Sequence, residues 1–154
     1  QLQAEGKGYL QIQSTKPQTL GYGLADSPIG QLAWIVEKFE AWTNINASLP
    51  DQAVDRDQLL TNISLYWFTR TAVTAANFIY EASHSTAPWA TASNTPTGFA
   101  AWNVKDVETA MRQMIDPENK IKHYSNFDQG GHFPAMEAPD LLLSDARTFF
   151  HNFR

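Results

Sequence analysis

A lone histidine follows two glycines in Gly130-Gly131-His132-Phe133. Glycine frees the backbone to turn sharply, so His132 would stand on a tight turn just past a predicted strand. Imidazole ordinarily titrates near neutrality, so it can take a proton from water and give it back. General-base chemistry is therefore the first expectation. His84, His123 and His151 have no comparable setting and read as ordinary residues. No two histidines have metal-ligand spacing, so no metal site is expected. A base of this kind is usually oriented by a carboxylate that holds its tautomer. Asp106, Glu108 and Asp128 stand upstream, and Asp128, at the end of the same strand, reads as a turn residue. Tyr66 beside Trp67 could donate a proton, although a helical Tyr next to Trp commonly packs in a core.

The surrounding pattern says which elements carry these residues. Ser27 before Pro28 is a good helix start, with Ser as N-cap and Pro in the first turn. Ile29, Leu32, Ala33, Val36 and Phe39 then recur at helical spacing to about Trp42. Residues 1–13 are polar and read as a ragged end or as the tail of an earlier element. Residues 15–23, with Pro17, Gly21 and Gly23, read as a loop, and so do residues 43–51. A second helix begins near Asp55, carries Leu59, Ile63 and Tyr66 on one face, and continues through a bend at 69–74 to about Ala82. Residues 83–97 are rich in Pro and small polar types and form the clearest linker. Then come a strand at 98–102, a helix at 104–114, a strand at 121–127 and a helix from Pro139 carrying Leu142, Ala146, Phe149 and Phe153. Strand, helix, strand, helix is an α/β pattern.

Composition narrows the class. The chain has 154 residues, is 43% hydrophobic and carries a net charge of −5 without a Lys/Arg cluster, which supports a core and argues against nucleic acid as a partner. It contains no cysteine, so disulfides and thiolate metal sites are excluded, and a reducing cytoplasm suits it. No apolar run reaches the ~18 residues of a membrane span. Aromatic residues make up 12%, enough to pack a core and also to line an apolar pocket for a hydrophobic ligand.

Three stretches in order carry a resemblance. They are Gln13-Ser-Thr-Lys-Pro-Gln-Thr-Leu-Gly21 running into Asp26-Ser-Pro-Ile-Gly-Gln-Leu-Ala-Trp34-Ile-Val-Glu-Lys-Phe39, then Asp57-Gln-Leu-Leu-Thr-Asn-Ile-Ser-Leu-Tyr66-Trp67, and the segment from Gln129 to Phe150. Together they resemble the microsomal-type epoxide hydrolases of the α/β-hydrolase superfamily over nearly the whole chain, more weakly between Ser83 and Thr95. The resemblance implies the C-terminal part of an α/β-hydrolase fold, incomplete on its own. Residues 1–85 would be a helical cap segment, 86–97 a linker, and 98–154 the last strands and helices of the parallel sheet.

The same resemblance implies roles. His132 would be the general base and Asp106, 26 residues before it, the carboxylate that orients it. The lead-in Asn103-Val-Lys departs from the family's usual one, so Glu108 remains a rival. Tyr66 would be a cap tyrosine hydrogen-bonded to the epoxide oxygen, with Trp67, Phe68 and Phe133 lining the pocket. No Gly-x-Ser-x-Gly occurs, and no equivalent elbow with Asp can be found. The nucleophile and a second cap tyrosine are therefore expected outside this chain, which would be inactive alone. The implied substrate is a hydrophobic epoxide, the implied product a vicinal diol, and no cofactor is required. The implied partner is the remaining N-terminal half of the enzyme. A homodimer is among the assemblies the sequence allows, and an N-terminal membrane anchor, as in microsomal members, would lie outside it. An esterase or dehalogenase on the same fold, or an inactive hydrolase-like fragment, are the alternatives.

Overall fold

The computed structural model describes residues 6–43, 46–87, 94–104 and 108–154. The described elements run α1 Gly8–Thr15, α2 Pro17–Asp26, α3 Pro28–Trp42, α4 Pro50–Ala53, α5 Arg56–Thr69, α6 Ala72–His84, β1 Gly98–Trp102, α7 Glu108–Ile115, β2 His123–Phe127, α8 Pro134–Glu137 and α9 Pro139–His151. They fall into two compact units. One gathers the described residues of 6–37 and 57–87, the other those of 38–56 and 94–154. Residues 38–56 thus group with the later part of the chain, a placement that chain order does not reveal.

The first unit is helical. Helix α6 packs against α1 and α2, and the approach to α2 is close because small residues meet there. A Cβ on Gly21 would lie 3.0 Å from Val73 Cγ2, while Ala72 and Ala76 are buried on α6. This explains why residues 15–23 are a helix rather than the expected loop. Pro17 sits in the first turn, where its missing N–H is not needed, and Gly21 serves packing, not turning. Residues 8–13, read as a ragged end, also belong to a helix, with Gln13 buried. Tertiary contact stabilises what local propensity disfavours.

Helix α3 starts as expected: the Ser27 hydroxyl accepts the Gly30 N–H at 3.0 Å, satisfying one orphan donor of the first turn. Its buried face departs from the apolar pattern. Ile29 is 73% exposed, whereas Gln31 is 2% exposed.

The expected bend after α5 is a helix break. Arg70 takes a left-handed φ of 54°, its N–H reaches the Trp67 carbonyl, and the Thr71 N–H reaches the Tyr66 carbonyl, each at 3.2 Å. This paired 5→2 and 6→1 pattern is a Schellman cap. It fixes Tyr66 in the final turns of α5.

The second unit is a layered α/β piece. Strands β1 and β2 are parallel, with Gly98 opposite His123 and Trp102 opposite Phe127, and α7 makes the crossover that parallel pairing requires. Side chains alternate between the two faces. On one face Phe99 stacks on Tyr124 at 5.7 Å and Arg112 of α7 lies over the Tyr124 ring. On the other, Phe149 of α9 packs so closely that a Cβ on Gly98 would lie 2.9 Å from its Cδ2. Asp116 is buried and accepts the N–H groups of Lys120 at 2.6 Å and Ile121 at 3.1 Å, which aims the chain into β2.

The small-residue contact in the first unit makes a sharp expectation. Gly21→Ala should cost about 1–3 kcal/mol by overpacking against Val73. Gly23→Ala, where a Cβ meets nothing within 4 Å, should stabilise by up to ~1 kcal/mol through helix propensity. Urea denaturation of the two variants checks both signs.

Candidate active site

His132 sits on the loop between β2 and α8, and that loop is held from four sides. At its start Gly130 is buried with a φ of 91°, a conformation that L side chains rarely adopt. A Cβ there would also lie 3.0 Å from Trp102 Cε3. The His132 N–H donates to the Trp42 carbonyl at 2.9 Å, and the next N–H, of Phe133, donates to Glu137 Oε1 at 2.9 Å. The Phe133 ring stacks on buried Phe39 with centroids 4.0 Å apart and planes 10° off parallel. Two successive backbone donors and one aromatic anchor therefore fix the loop, while His132 itself remains exposed.

The imidazole meets two rings. Trp42 lies 4.9 Å away at a 57° tilt, and Phe133 lies 5.1 Å away nearly edge-on. A base held this way has aromatic contacts that limit how its ring turns.

The structure places the other expected site residues as follows. Asp106, the expected orienting acid, lies outside the described residues. Its rival Glu108 accepts a hydrogen bond from Asn126 Nδ2 at 2.6 Å, which ties α7 to β2. Tyr66 belongs to the first unit. It is 36% exposed on the side of α5 that carries buried Leu59 and Ile63, and no hydrogen bond to its hydroxyl is formed among the described residues. Phe68 leaves the helix roughly 200° further round, so it does not share a face with Tyr66. It is 81% exposed and borders a shallow depression of about 350 Å³ with Leu60 and Leu65. Trp67 is half-buried. Phe133 is adjacent to His132, but its ring is engaged with Phe39.

Sequence reasoning missed Phe39, Trp42 and Glu137 as supports of the His132 loop. Glu137 offered a faint local signal, an acid four residues after the N–H it accepts. Phe39 and Trp42 lie about ninety residues away and offered none.

His123, read as ordinary, belongs to a polar cluster. Its Nε2 lies 2.7 Å from Asp145 Oδ1 and 3.0 Å from Ser125 Oγ, and the Ser125 hydroxyl also donates to Asp145. Ser, His and Asp together suggest a nucleophilic triad, but the geometry is wrong for one. A triad uses the two ring nitrogens for the acid and the hydroxyl separately, and here both oxygens share Nε2. The cluster fastens α9 to β2. Among the described residues, no group of three His, Asp or Glu side chains could hold a metal ion, and no helix is long and apolar enough to cross a membrane.

A parallel βαβ unit with helices on both faces, followed by a glycine-led histidine loop, is an α/β arrangement. No protein-family model matches the chain, but individual proteins do. Epoxide hydrolase 1 of Sus scrofa is 40% identical over 151 residues, covering 92% of this chain. The crystal structure of the juvenile hormone epoxide hydrolase of Bombyx mori matches 98% of the chain at 34% identity and a TM-score of 0.80. The Aspergillus niger epoxide hydrolase matches 96% at 27% identity and a TM-score of 0.68. Over nearly its whole length the chain is therefore similar to epoxide hydrolases, and its α/β arrangement is part of an α/β-hydrolase fold. It spans 33% of the Sus scrofa protein's length and 40% of the Bombyx mori structure.

The His123 cluster separates stability from chemistry. Asp145→Ala leaves the Ser125 hydroxyl and His123 without their shared acceptor, at a cost of about 1–3 kcal/mol. The same substitution should leave the rate per folded molecule unchanged, as thermal denaturation and steady-state assays of the full-length chain would show.

Proposed function

We propose that this chain forms part of an enzyme that opens hydrophobic epoxides to vicinal diols, with His132 as its general base. The observation that carries this reading is the His132 loop itself. Its backbone is pinned by Trp42, Glu137 and Gly130, while His132 as a residue stays exposed. The named activities of the relatives support it. Residues 6–37 and 57–87 would be cap, and the β1–α7–β2–α9 piece would belong to the catalytic core. The absence of cysteine suits the reducing cytoplasm, where we place the protein.

Two steps follow. A carboxylate from sequence outside this chain attacks an epoxide carbon, the carbon–oxygen bond breaks, and the oxygen takes a proton from Tyr66. A covalent alkyl-enzyme ester results. His132, oriented by Asp106, then removes a proton from water, and the hydroxide attacks the ester carbonyl. The diol leaves, the carboxylate is restored, and the proton held by the His132 imidazolium returns through solvent to the Tyr66 phenolate. Charge builds on the epoxide oxygen only as the ring opens, so a placed phenol stabilises the transition state more than the ground state.

The steps separate experimentally because a carboxylate is already ionised at neutral pH, whereas water needs a base. His132→Gln in the full-length chain should open epoxide once and stall, with the substrate's mass retained on the protein by intact-mass spectrometry and no diol beyond background. Asp106→Asn should show a milder stall. A folded His132→Gln that forms no adduct would mean the histidine acts in the first step, as in a serine esterase.

Tyr66→Phe keeps the ring and removes one donor. Alkylation measured by stopped flow should slow on the order of 10²–10⁴-fold, less if a second tyrosine compensates, with ester hydrolysis nearly unchanged. An unaltered alkylation rate would return Tyr66 to a packing role.

A further inference from the structure

We propose that Trp42 is a positioning residue for His132, acting on the ester-hydrolysing step and not on epoxide opening; this rests on the reading of His132 as the base. Trp42 reaches His132 twice. Its carbonyl accepts the His132 N–H at 2.9 Å, and its indole lies 4.9 Å from the imidazole at a 57° tilt. The first contact sets where the loop backbone lies, and the second sets where the ring can turn.

The indole is itself constrained. Phe133 lies 6.3 Å from it at a 28° interplanar angle, and Phe133 is in turn stacked on Phe39, one turn before Trp42 on α3. Lys38 Nζ stands 5.7 Å from the Trp42 ring centroid. Thr43 then ends the helix, its hydroxyl donating to the Phe39 carbonyl at 2.6 Å. The imidazole is therefore in contact with two rings that are themselves packed, the Trp42 indole and the Phe133 ring at an 83° interplanar angle.

Such a contact matters unequally to the two steps. Epoxide opening leaves His132 uncharged and needs no proton removed by it. Ester hydrolysis requires the ring nitrogen aimed at water and creates an imidazolium. A cation within about 6 Å of an aromatic centroid can be attracted to the ring's negative face, and the indole lies at that distance from the ring that takes the proton in this step. The property needed is an aromatic ring of sufficient reach. Phe keeps most of it, and Leu keeps bulk without the π face.

The test is single-turnover kinetics of the full-length chain, following alkyl-enzyme formation and decay by quenched-flow mass spectrometry. Trp42→Leu should leave formation within about twofold and slow decay roughly ten- to a hundredfold, while Trp42→Phe should recover most of the loss. Equal slowing of both steps, or Leu performing as well as Phe, would overturn the proposal, since a merely structural tryptophan would behave that way. Because the Leu variant could fail to fold, the wild-type chain provides a second measurement. With selectively labelled His and Trp, nuclear Overhauser contacts between the Trp42 indole and the His132 ring protons are expected, and their absence overturns the proposal. A wild-type full-length chain that shows these contacts but forms no alkyl-enzyme instead overturns the hydrolase reading.

Discussion

The hydrogen bond from the His132 N–H to the Trp42 carbonyl is the constraint on which the second unit's candidate chemistry depends. It joins the end of a helix near residue 40 to a loop some ninety residues later. A loop led by glycines is cheap to bend but also cheap to disorder, because glycine loses more conformational freedom on folding than other residues. That freedom is removed by specific partners: a carbonyl for one N–H, a carboxylate for the next, and a stacked ring pair beside them. Each contact alone is worth about 1 kcal/mol or so. Their value lies in acting on consecutive residues, which leaves the imidazole little to do except rotate.

The layers beneath serve the same end. The parallel register brings Trp102 opposite Phe127, and their rings stack at 4.4 Å. Trp102 then fills the space in front of Gly130, so the end of the sheet dictates where the loop can leave it. The Ser125–His123–Asp145 cluster holds α9 across one face of the strands, and Glu108 with Asn126 holds α7 across the other. Polar ties of this kind cost stability when half-satisfied, and in the Asp145 cluster each oxygen and nitrogen that meets has a partner. The first unit follows another logic. There Gly21, Ala72 and Ala76 let helices approach closely, and Arg70 accepts a left-handed backbone so that α5 can stop just after Tyr66.

Much of this was legible in the residues. Ser27-Pro28 announced a helix, the runs around 98–102 and 121–127 announced strands, and Gly130-Gly131 announced the turn under His132. Each rests on a local rule of capping, alternation or backbone freedom that needs no partner. Local rules misled where a residue had two uses. Pro17, Gly21 and Gly23 signalled a loop, yet proline is tolerated in a first turn and glycine also marks close packing. Ile29 was assigned inward by periodicity, but it is Gln31 that is buried.

The sequence by itself determined the start of α3, the strand–helix–strand–helix α/β character of residues 98–154 and the candidacy of His132, because these depend on neighbours within a few positions. Only the tertiary structure decided what holds that histidine, that residues 38–56 group with the second unit, and that His123 is a fastening, not a spare side chain. Apart from the local bond to Glu137, the contacts responsible join residues from 20 positions apart, in Ser125 and Asp145, to 94, in Phe39 and Phe133, or depend on which of two ring nitrogens a pair of oxygens shares. Neither leaves a periodic trace along the chain, since side chains brought together by a fold owe their spacing to the path between them.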